Sequence, residues 1–166
     1  MKIWFVAGAV ALAFTAGFVL MSNKKAGAAE AGTWAEQQKA FLDKNAKQSG
    51  WKSTASGLQY IVLKPAAKPG PKPAPGSEVT VHYEGRLIDG KVFDSSYARK
   101  EPISFPLSGV IKGWQEGVPM MSVGETWEFA IPADLGYGAR GAPGAIPPDS
   151  ALIFKVELLK AATPAP

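Results

Sequence analysis

The chain has 166 residues, a formal net charge of +4 at pH 7 and no cysteine, which leaves room for one domain of ordinary size and a leader. Hydrophobic residues make up 46% of the sequence and charged residues 19%, so the chain can bury a core and is not disordered throughout. The lysines and arginines are scattered and give no focused nucleic-acid footprint. Because the chain has no cysteine and only one histidine, His82, disulfides, thiolate chemistry and His/Cys zinc sites are excluded, and we expect no metal and no cofactor.

Residues 1–31 predict a targeting segment. Lys2 precedes an uncharged, mostly apolar run over residues 3–21. A signal-peptide core has about 7–15 residues, whereas about 18 or more can span a bilayer, so this run is either a signal peptide or a membrane anchor. A retained anchor is slightly favoured, because the small-residue cleavage pattern at residues 26–28 lies some distance beyond the run.

The next segments predict a short helix followed by a mainly antiparallel sheet. Helix formers over residues 33–48, with Gly50 as a stop, predict a helix that links the leader to the domain, with Trp34, Phe41 and Leu42 as its apolar stripe. Alternating apolar residues predict strands. The predicted strands are residues 57–64, 79–87, 103–107, 125–131 and 152–158. A proline-rich stretch, residues 65–76, favours an extended connection between the first two strands.

The stretch VHYEGRLIDGKVFDSS, residues 81–96, is the most informative part of the chain. It predicts a half-buried strand, a tight turn at Asp89-Gly90, and a return that carries Phe93 beside Asp94. That pair could line an apolar pocket, but an Asp before two serines is also ordinary turn chemistry. His82 falls on the polar face of the strand, where a solvated histidine is more frequent than a member of a catalytic triad.

Two later segments complete the pattern. Residues 110–118, VIKGWQEGV, predict one short helix that presents Trp114 inward. The connection YGARGAPGAIPP, residues 137–148, is too long and too rich in Gly and Pro for a simple hairpin. It is either a functional loop or a surface loop that tucks Tyr137 and Ile146 onto the core. Together the elements predict an α+β domain with an antiparallel sheet wrapped on one helix.

In order and spacing, these motifs resemble the FKBP family of peptidyl-prolyl cis-trans isomerases over residues 57–160. The resemblance implies a curled, mainly five-stranded antiparallel sheet wrapped around one short helix, here preceded by the apolar leader and the short helix. The corresponding division of the chain is 1–31 leader, 32–56 helical linker, 57–160 isomerase domain and 161–166 disordered tail.

The resemblance also implies a substrate pocket. Its residues would be Tyr83, Phe93, Asp94, Arg99, Val110, Ile111, Trp114, Tyr137, Ile146 and Phe154. Four of them would be catalytic, namely Phe93, Asp94, Trp114 and Tyr137. Trp114 would form the floor, and the Tyr137 hydroxyl would donate to a substrate carbonyl.

The remaining implied roles belong to the walls of the pocket. Tyr83, Phe93 and Phe154 would form its apolar walls, the amide of Ile111 would be a second donor, and Asp94 would hydrogen-bond around the wall with Arg99 as its partner. The sequence departs from the family pattern at three positions: Ile103 stands where an aromatic residue is frequent, and Ala142 and Ala145 are small.

The activity implied is accelerated rotation of X-Pro bonds in proline-containing polypeptides, without a cofactor or nucleic acid. Macrolide inhibitors would be ligands of the same pocket, and the short helix of residues 33–48 favours a monomer. The expected location is the periplasm, either free after signal cleavage or anchored to the cytoplasmic membrane by residues 3–21. Two alternatives remain: a noncatalytic peptide-binding chaperone module that uses the same groove, and a membrane-tethered spacer.

Overall fold

In the computed structural model, which describes residues 32–162, seven antiparallel strands form a sheet that curls around one short helix. This architecture confirms the predicted α+β class. The predictions for the leader and for residues 163–166 lie outside the described residues. Across residues 32–162, every helix is too short or too polar to cross a membrane.

The strands follow one another in the sheet in the order β1-β2-β6-β7-β3-β4, and β5 also pairs with β3. Their bounds are β1 Lys52–Ser53, β2 Gln59–Lys64, β3 Glu78–Leu87, β4 Val92–Ser95, β5 Ile103–Pro106, β6 Thr126–Ile131 and β7 Leu152–Ala161. The helices are α1 Trp34–Asn45, α2 Ser96–Arg99 and α3 Lys112–Gly117. Short 3-10 turns lie at Leu107–Gly109, Val118–Met120, Ala133–Leu135 and Gly138–Arg140.

Strand β3 is the centre of the sheet. Its buried and more exposed residues alternate over all ten positions, which confirms the face that the sequence assigned to Val79, Val81, Tyr83 and Leu87. One edge of β3 pairs with β7 along nearly its whole length. On the other edge, β5 covers the first four residues and β4 covers the last part.

Helix α3 lies very close to β6, because two glycines face the sheet. A Cβ on Gly113 would lie 2.7 Å from Ile131, and a Cβ on Gly117 would lie 2.5 Å from Phe129. These positions therefore exclude any side chain unless the helix moves away. The helix begins at Lys112, slightly later than residues 110–118 predict, and the close approach buries Trp114 between helix and sheet.

Helix α1 begins with a capping box formed by Thr33 and Glu36 and is attached to the domain by amide groups. Gln38 and Asn45 are each 4% exposed. The Gln38 Oε1 accepts from the Ala151 amide at 3.0 Å, and the Asn45 Nδ2 donates to Gln59 Oε1 at 2.8 Å. The buried face of this helix thus includes polar groups, of which Gln38 Oε1 and the Asn45 amide have partners, whereas Gln38 Nε2 is buried without a partner among residues 32–162.

The apolar stripe predicted for α1 lies on the same face of the helix as these amides, because Gln38 and Asn45 follow Trp34 at i+4 and i+11. Trp34, Phe41 and Leu42 are only partly buried, whereas fully buried positions are occupied by amides. Hydrophobic periodicity located this face but did not detect the polar groups on it that find buried partners.

The sheet reaches beyond the limits predicted for the domain. Strand β1 pairs Lys52 with Tyr60, so the sheet begins inside the segment predicted as a helical linker, residues 32–56. At the other end, Ala161 belongs to β7 and the Ala162 amide donates to the Glu78 carbonyl at 2.9 Å. Two strands add to the five predicted: β1, which has two residues and gives no periodic signal, and β4, which forms on the predicted return after the turn at Asp89-Gly90.

Candidate functional site

The floor of the site is Trp114, which α3 presents to the concave side of the sheet and which is 4% exposed. Three rings stand edge-on or nearly so to the indole: Tyr83 at 5.4 Å, Phe154 at 5.4 Å and Phe105 at 5.9 Å between centroids, with interplanar angles of 83–88°. Because edge-to-face pairs are a preferred arrangement of aromatic rings, these contacts fix the indole in place.

Phe93 and Phe154 extend the aromatic wall across β3. Their rings are edge-on, with centroids 5.5 Å apart. They meet over Gly85, where an added Cβ would lie 2.6 Å from each ring. Gly85 is the cross-strand partner of Asp94 on one edge and of Phe154 on the other, so its missing side chain makes the space that the two rings fill.

The polar part of the wall is a closed set of three groups. The Tyr83 hydroxyl donates to Asp94 Oδ2 in a short hydrogen bond, the Arg99 Nη1 donates to Asp94 Oδ1 at 2.5 Å, and the Arg99 Nη2 donates to the Tyr83 oxygen at 3.3 Å. Side chains of the ion pair are 47% and 40% exposed, so solvent screens their attraction and the pair contributes at most about 1 kcal/mol to stability. The role of the pair is to fix orientation.

Protonation of the wall follows from this geometry. Burial, and secondly the hydrogen bond to Asp94, raise the pKa of Tyr83 to about 12. Tyr83 is therefore a neutral donor at physiological pH. The hydrogen bonds to Asp94 and Tyr83 raise the pKa of Arg99, which stays cationic. Asp94 accepts from Tyr83 on one oxygen and from Arg99 on the other, which suits an orienting acceptor.

Helix α2 brings Arg99 back to Asp94. The helix is a single turn, capped at its start by Ser95, whose Oγ accepts from the Ala98 amide at 3.2 Å. It ends at Lys100, which has a left-handed φ of 56°. Because the helix is one turn long, its last residue, Arg99, lies close to the start of the helix. Arg99 therefore faces the carboxylate of Asp94, five residues earlier.

The opposite side of the site is the segment 137–148, which is shaped by its own hydrogen bonds. Ala142 and Ile146 exchange two backbone bonds of 2.9 and 2.8 Å. Gly141 has φ +62°, and a Cβ there would lie 2.3 Å from the Ile146 carbonyl oxygen, so glycine is required. Tyr137 is half-buried against the core, where burial and the charge of Asp94 raise its pKa.

Val110 and Ile111 complete the ring of predicted residues, since both pack against the core from the entrance of α3. Ile111 is the N-cap of that helix. The amide of an N-cap residue takes no part in intrahelical hydrogen bonding, which leaves it able to meet a ligand.

Two residues of the site were missed by the sequence prediction. Phe105, two positions beyond Ile103 on the same face of β5, places its ring 5.9 Å from Trp114 and 6.0 Å from Tyr83. Ile103 is still a departure from the family pattern, and the aromatic ring on this face of β5 comes from Phe105. The strand alternation contained this signal, but the adjacent Pro106 weakened it. Gly85 could have been found because a glycine inside a predicted strand often marks a place where another group approaches the backbone closely.

Comparisons with known proteins agree with this geometry. The chain matches the family described as FKBP-type peptidyl-prolyl cis-trans isomerase over residues 70–159, and the domain amino terminal to it over residues 10–62. It is 54% identical over 125 residues to the peptidyl-prolyl cis-trans isomerase Mip of Coxiella burnetii, which covers 75% of this chain and 54% of the relative. It is 53% identical over 120 residues to the FKBP-type 22 kDa peptidyl-prolyl cis-trans isomerase of Escherichia coli, covering 72% and 57%.

A solved structure gives the same result for the fold. The crystal structure of a peptidyl-prolyl cis-trans isomerase from Pseudomonas syringae pv. tomato superposes with a TM-score of 0.72 at 36% identity, over 78% of this chain and 93% of that one. The chain spans little more than half the length of the two curated relatives above.

Proposed function

Because the chain belongs to the family of FKBP-type peptidyl-prolyl cis-trans isomerases, we propose that it accelerates rotation about X-Pro bonds in polypeptides. The observation that supports this most strongly is the aromatic pocket over Trp114, with the neutral hydroxyl of Tyr83 fixed against Asp94 in its wall.

Such a pocket suits a reaction that breaks no bond. An X-Pro bond isomerises over about tens to hundreds of seconds unaided, because rotation disrupts amide resonance across a barrier of about 18–20 kcal/mol. The planar amide is more dipolar than the twisted one, so moving it from water into an aromatic pocket disfavours the ground state relative to the transition state. A barrier lower by about 5–6 kcal/mol gives roughly ten-thousandfold acceleration.

The proposed roles follow from where each group lies. Trp114 supports the prolyl ring, and Phe93 and Phe154 enclose it and exclude water. The Tyr137 hydroxyl and the Ile111 amide donate to substrate carbonyls and hold the chain on either side of the rotating bond. Val110 and Ile146 add apolar contact to the same wall. Asp94 acts through hydrogen bonding and its field, with Arg99 as its partner, and not as a general base.

We further propose that the chain is exported and acts as a monomer on folding proteins outside the cytoplasm, in the periplasm or tethered to the membrane. The apolar run at residues 3–21 supports export. Mass spectrometry of the mature N-terminus distinguishes a retained anchor, with Met1 intact, from a cleaved signal. Macrolides would compete for the same aromatic pocket, and sedimentation velocity would detect a dimer.

The test of activity uses the full chain, purified in mild detergent, and a proline-containing tetrapeptide whose cis-trans exchange is followed by NMR. We expect exchange well above the uncatalysed rate. Tyr137→Phe should lower kcat/KM roughly two- to tenfold, the value of one hydrogen bond of about 0.5–1.5 kcal/mol. Tyr60→Phe is the matched control, since Tyr60 stacks on Trp127 away from the pocket. Exchange at the uncatalysed rate in the wild type would overturn the proposal.

A further inference from the structure

Strand β3 lacks a strand partner at two positions on one edge. On that edge β5 pairs with β3 up to Val81, and β4 pairs with it from Glu84 onward. His82 and Tyr83 lie between these two ladders. Since the amide and the carbonyl of one residue in an antiparallel strand point to the same edge, both polar groups of the Tyr83 backbone face this gap.

The side chain of Ser96 fills the gap. It is 0% exposed and is the first residue of α2. Its Oγ accepts from the Tyr83 amide at 2.8 Å and donates to the Tyr83 carbonyl at 3.2 Å. One hydroxyl therefore replaces the missing strand and satisfies both buried backbone groups, each of which would otherwise cost about 1–3 kcal/mol.

His82 forms the third hydrogen bond of that hydroxyl. Its Nδ1 lies 2.9 Å from Ser96 Oγ. A serine hydroxyl has one proton and two acceptor sites. The Tyr83 amide uses one acceptor site. If the hydroxyl donated to a bare Nδ1, the buried Tyr83 carbonyl would lose this donor, so the arrangement that pairs all three groups has the proton on the carbonyl and Nδ1 as donor to the second acceptor site. The geometry thus assigns the neutral imidazole of His82 the tautomer that carries its proton on Nδ1. The ring is held flat against Tyr97, with centroids 4.8 Å apart and an interplanar angle of 16°.

The His82 ring lies on the outer face of β3, but its hydrogen bond to Ser96 affects the pocket on the inner face. Tyr83 points its ring into the pocket, and its hydroxyl fixes Asp94. Helix α2 is bound to Tyr83 at both ends, by Ser96 at its start and by Arg99 at its finish. A shift of the Tyr83 backbone would therefore move the whole polar wall.

We propose that Ser96 and His82 are positioning residues of the isomerase site, which act by fixing the Tyr83 backbone and, through it, the Asp94–Arg99 pair. This inference rests on the proposed isomerase function for its kinetic consequence. Its structural part, the protonated Nδ1 that donates to Ser96, stands independently of activity.

The tautomer is measurable without any substitution, because the chain contains only one histidine. Long-range ¹H–¹⁵N correlation spectra of the full chain in detergent, recorded at a pH where the imidazole is neutral, report which nitrogen carries the proton. We expect protonated Nδ1, although the Nε2-protonated form predominates in free histidine. A protonated Nε2 with bare Nδ1 would overturn the assignment of hydrogen bonds around Ser96.

Two substitutions at His82 test the kinetic part. Asn places a side-chain amide nitrogen near the position of Nδ1 and retains the donor, whereas Leu removes it. We expect His82→Asn to keep kcat/KM within about twofold of wild type and His82→Leu to lose about tenfold, chiefly in kcat, since a misplacement of about 1 Å can cost about a hundredfold. Equal kcat/KM for the two variants would refute the positioning role.

Ser96→Ala removes the hydroxyl itself and should lower kcat at least as far as His82→Leu, measured on protein shown to be folded by circular dichroism. A folded Ser96→Ala with wild-type kcat would contradict the proposal, and if this variant does not fold the His82 pair decides. Tyr97→Phe is the matched control. It removes a hydrogen bond to Glu157 in the same outer cluster but keeps the stacked ring. An inactive wild type would remove the proposed function while leaving the NMR result to test the hydrogen bonds.

Discussion

Gly85→Ala should damage the pocket from beneath. The new Cβ would lie 2.6 Å from both Phe93 and Phe154, whereas nonbonded carbons need about 3.5–4.0 Å, so at least one ring must move by about 1 Å. Phe154 is 5% exposed and packs on Trp114, while Phe93 is only partly buried. Phe93 is therefore the ring that yields, and the wall of the pocket opens. Overpacking of this kind costs about 1–3 kcal/mol of stability.

Two assays on Gly85→Ala separate the effects on fold and site. Thermal denaturation should show a midpoint lower by several degrees, at about 3–5 °C per kcal/mol for a domain of this size. Peptide exchange should show kcat/KM lower by about tenfold, since a misplacement of about 1 Å costs up to a hundredfold. Gly109→Ala is the matched control, because its Cβ would meet nothing closer than 3.6 Å. If Gly85→Ala matched Gly109→Ala in both assays, the reasoning about ring packing would be wrong.

Three further predictions follow from the contacts described. Asp94→Asn should lower kcat/KM roughly tenfold while changing the free energy of unfolding by about 1 kcal/mol or less, because the wall pair is solvent-screened; unchanged exchange of the tetrapeptide would contradict it. The pKa of Tyr83 is about 12 in the folded chain against 10.0 for an unperturbed tyrosine, so its contribution to stability is complete below about pH 10 and is lost as the pH rises towards 12. Melting curves over this range should show a smaller decline for Tyr83→Phe, and equal declines would count against a raised pKa. Asn45→Ala leaves the Gln59 Oε1 without its buried donor and should cost about 1–3 kcal/mol in urea denaturation, whereas Gln37→Ala, exposed on the same helix, should cost far less.

The sequence predicted those strands and helices in which apolar and polar residues alternate regularly. The alternation of β3 was visible because one face is buried and the other is not. Strand β1 has two residues and could not produce a pattern. The buried amides Gln38 and Asn45 were missed for a different reason: polar residues on a helix predict solvent until their partners, which lie far along the chain, are known.

The candidate site was predictable to a similar extent. Asp94 could be paired with Arg99 by resemblance, and the structure brings the two together at 2.5 Å. Ser96, in contrast, looked like ordinary turn chemistry after Asp94. Its role depends on a gap between the β4 and β5 ladders, which is a property of strand register and is invisible in local sequence.

The two tyrosines nearest the proposed substrate have different hydrogen-bonding states, and this difference separates their roles. Tyr83 is fully engaged, because its hydroxyl bonds to Asp94 and accepts from Arg99. Tyr137 owes its raised pKa to burial and to the charge of Asp94, and its hydroxyl has no hydrogen-bond partner among residues 32–162. The Tyr83 hydroxyl already has two partners, so it has little remaining capacity to bind water or a substrate group. Tyr83 therefore suits a fixed part of the wall, and the hydroxyl of Tyr137 suits the proposed role of donor to the substrate carbonyl.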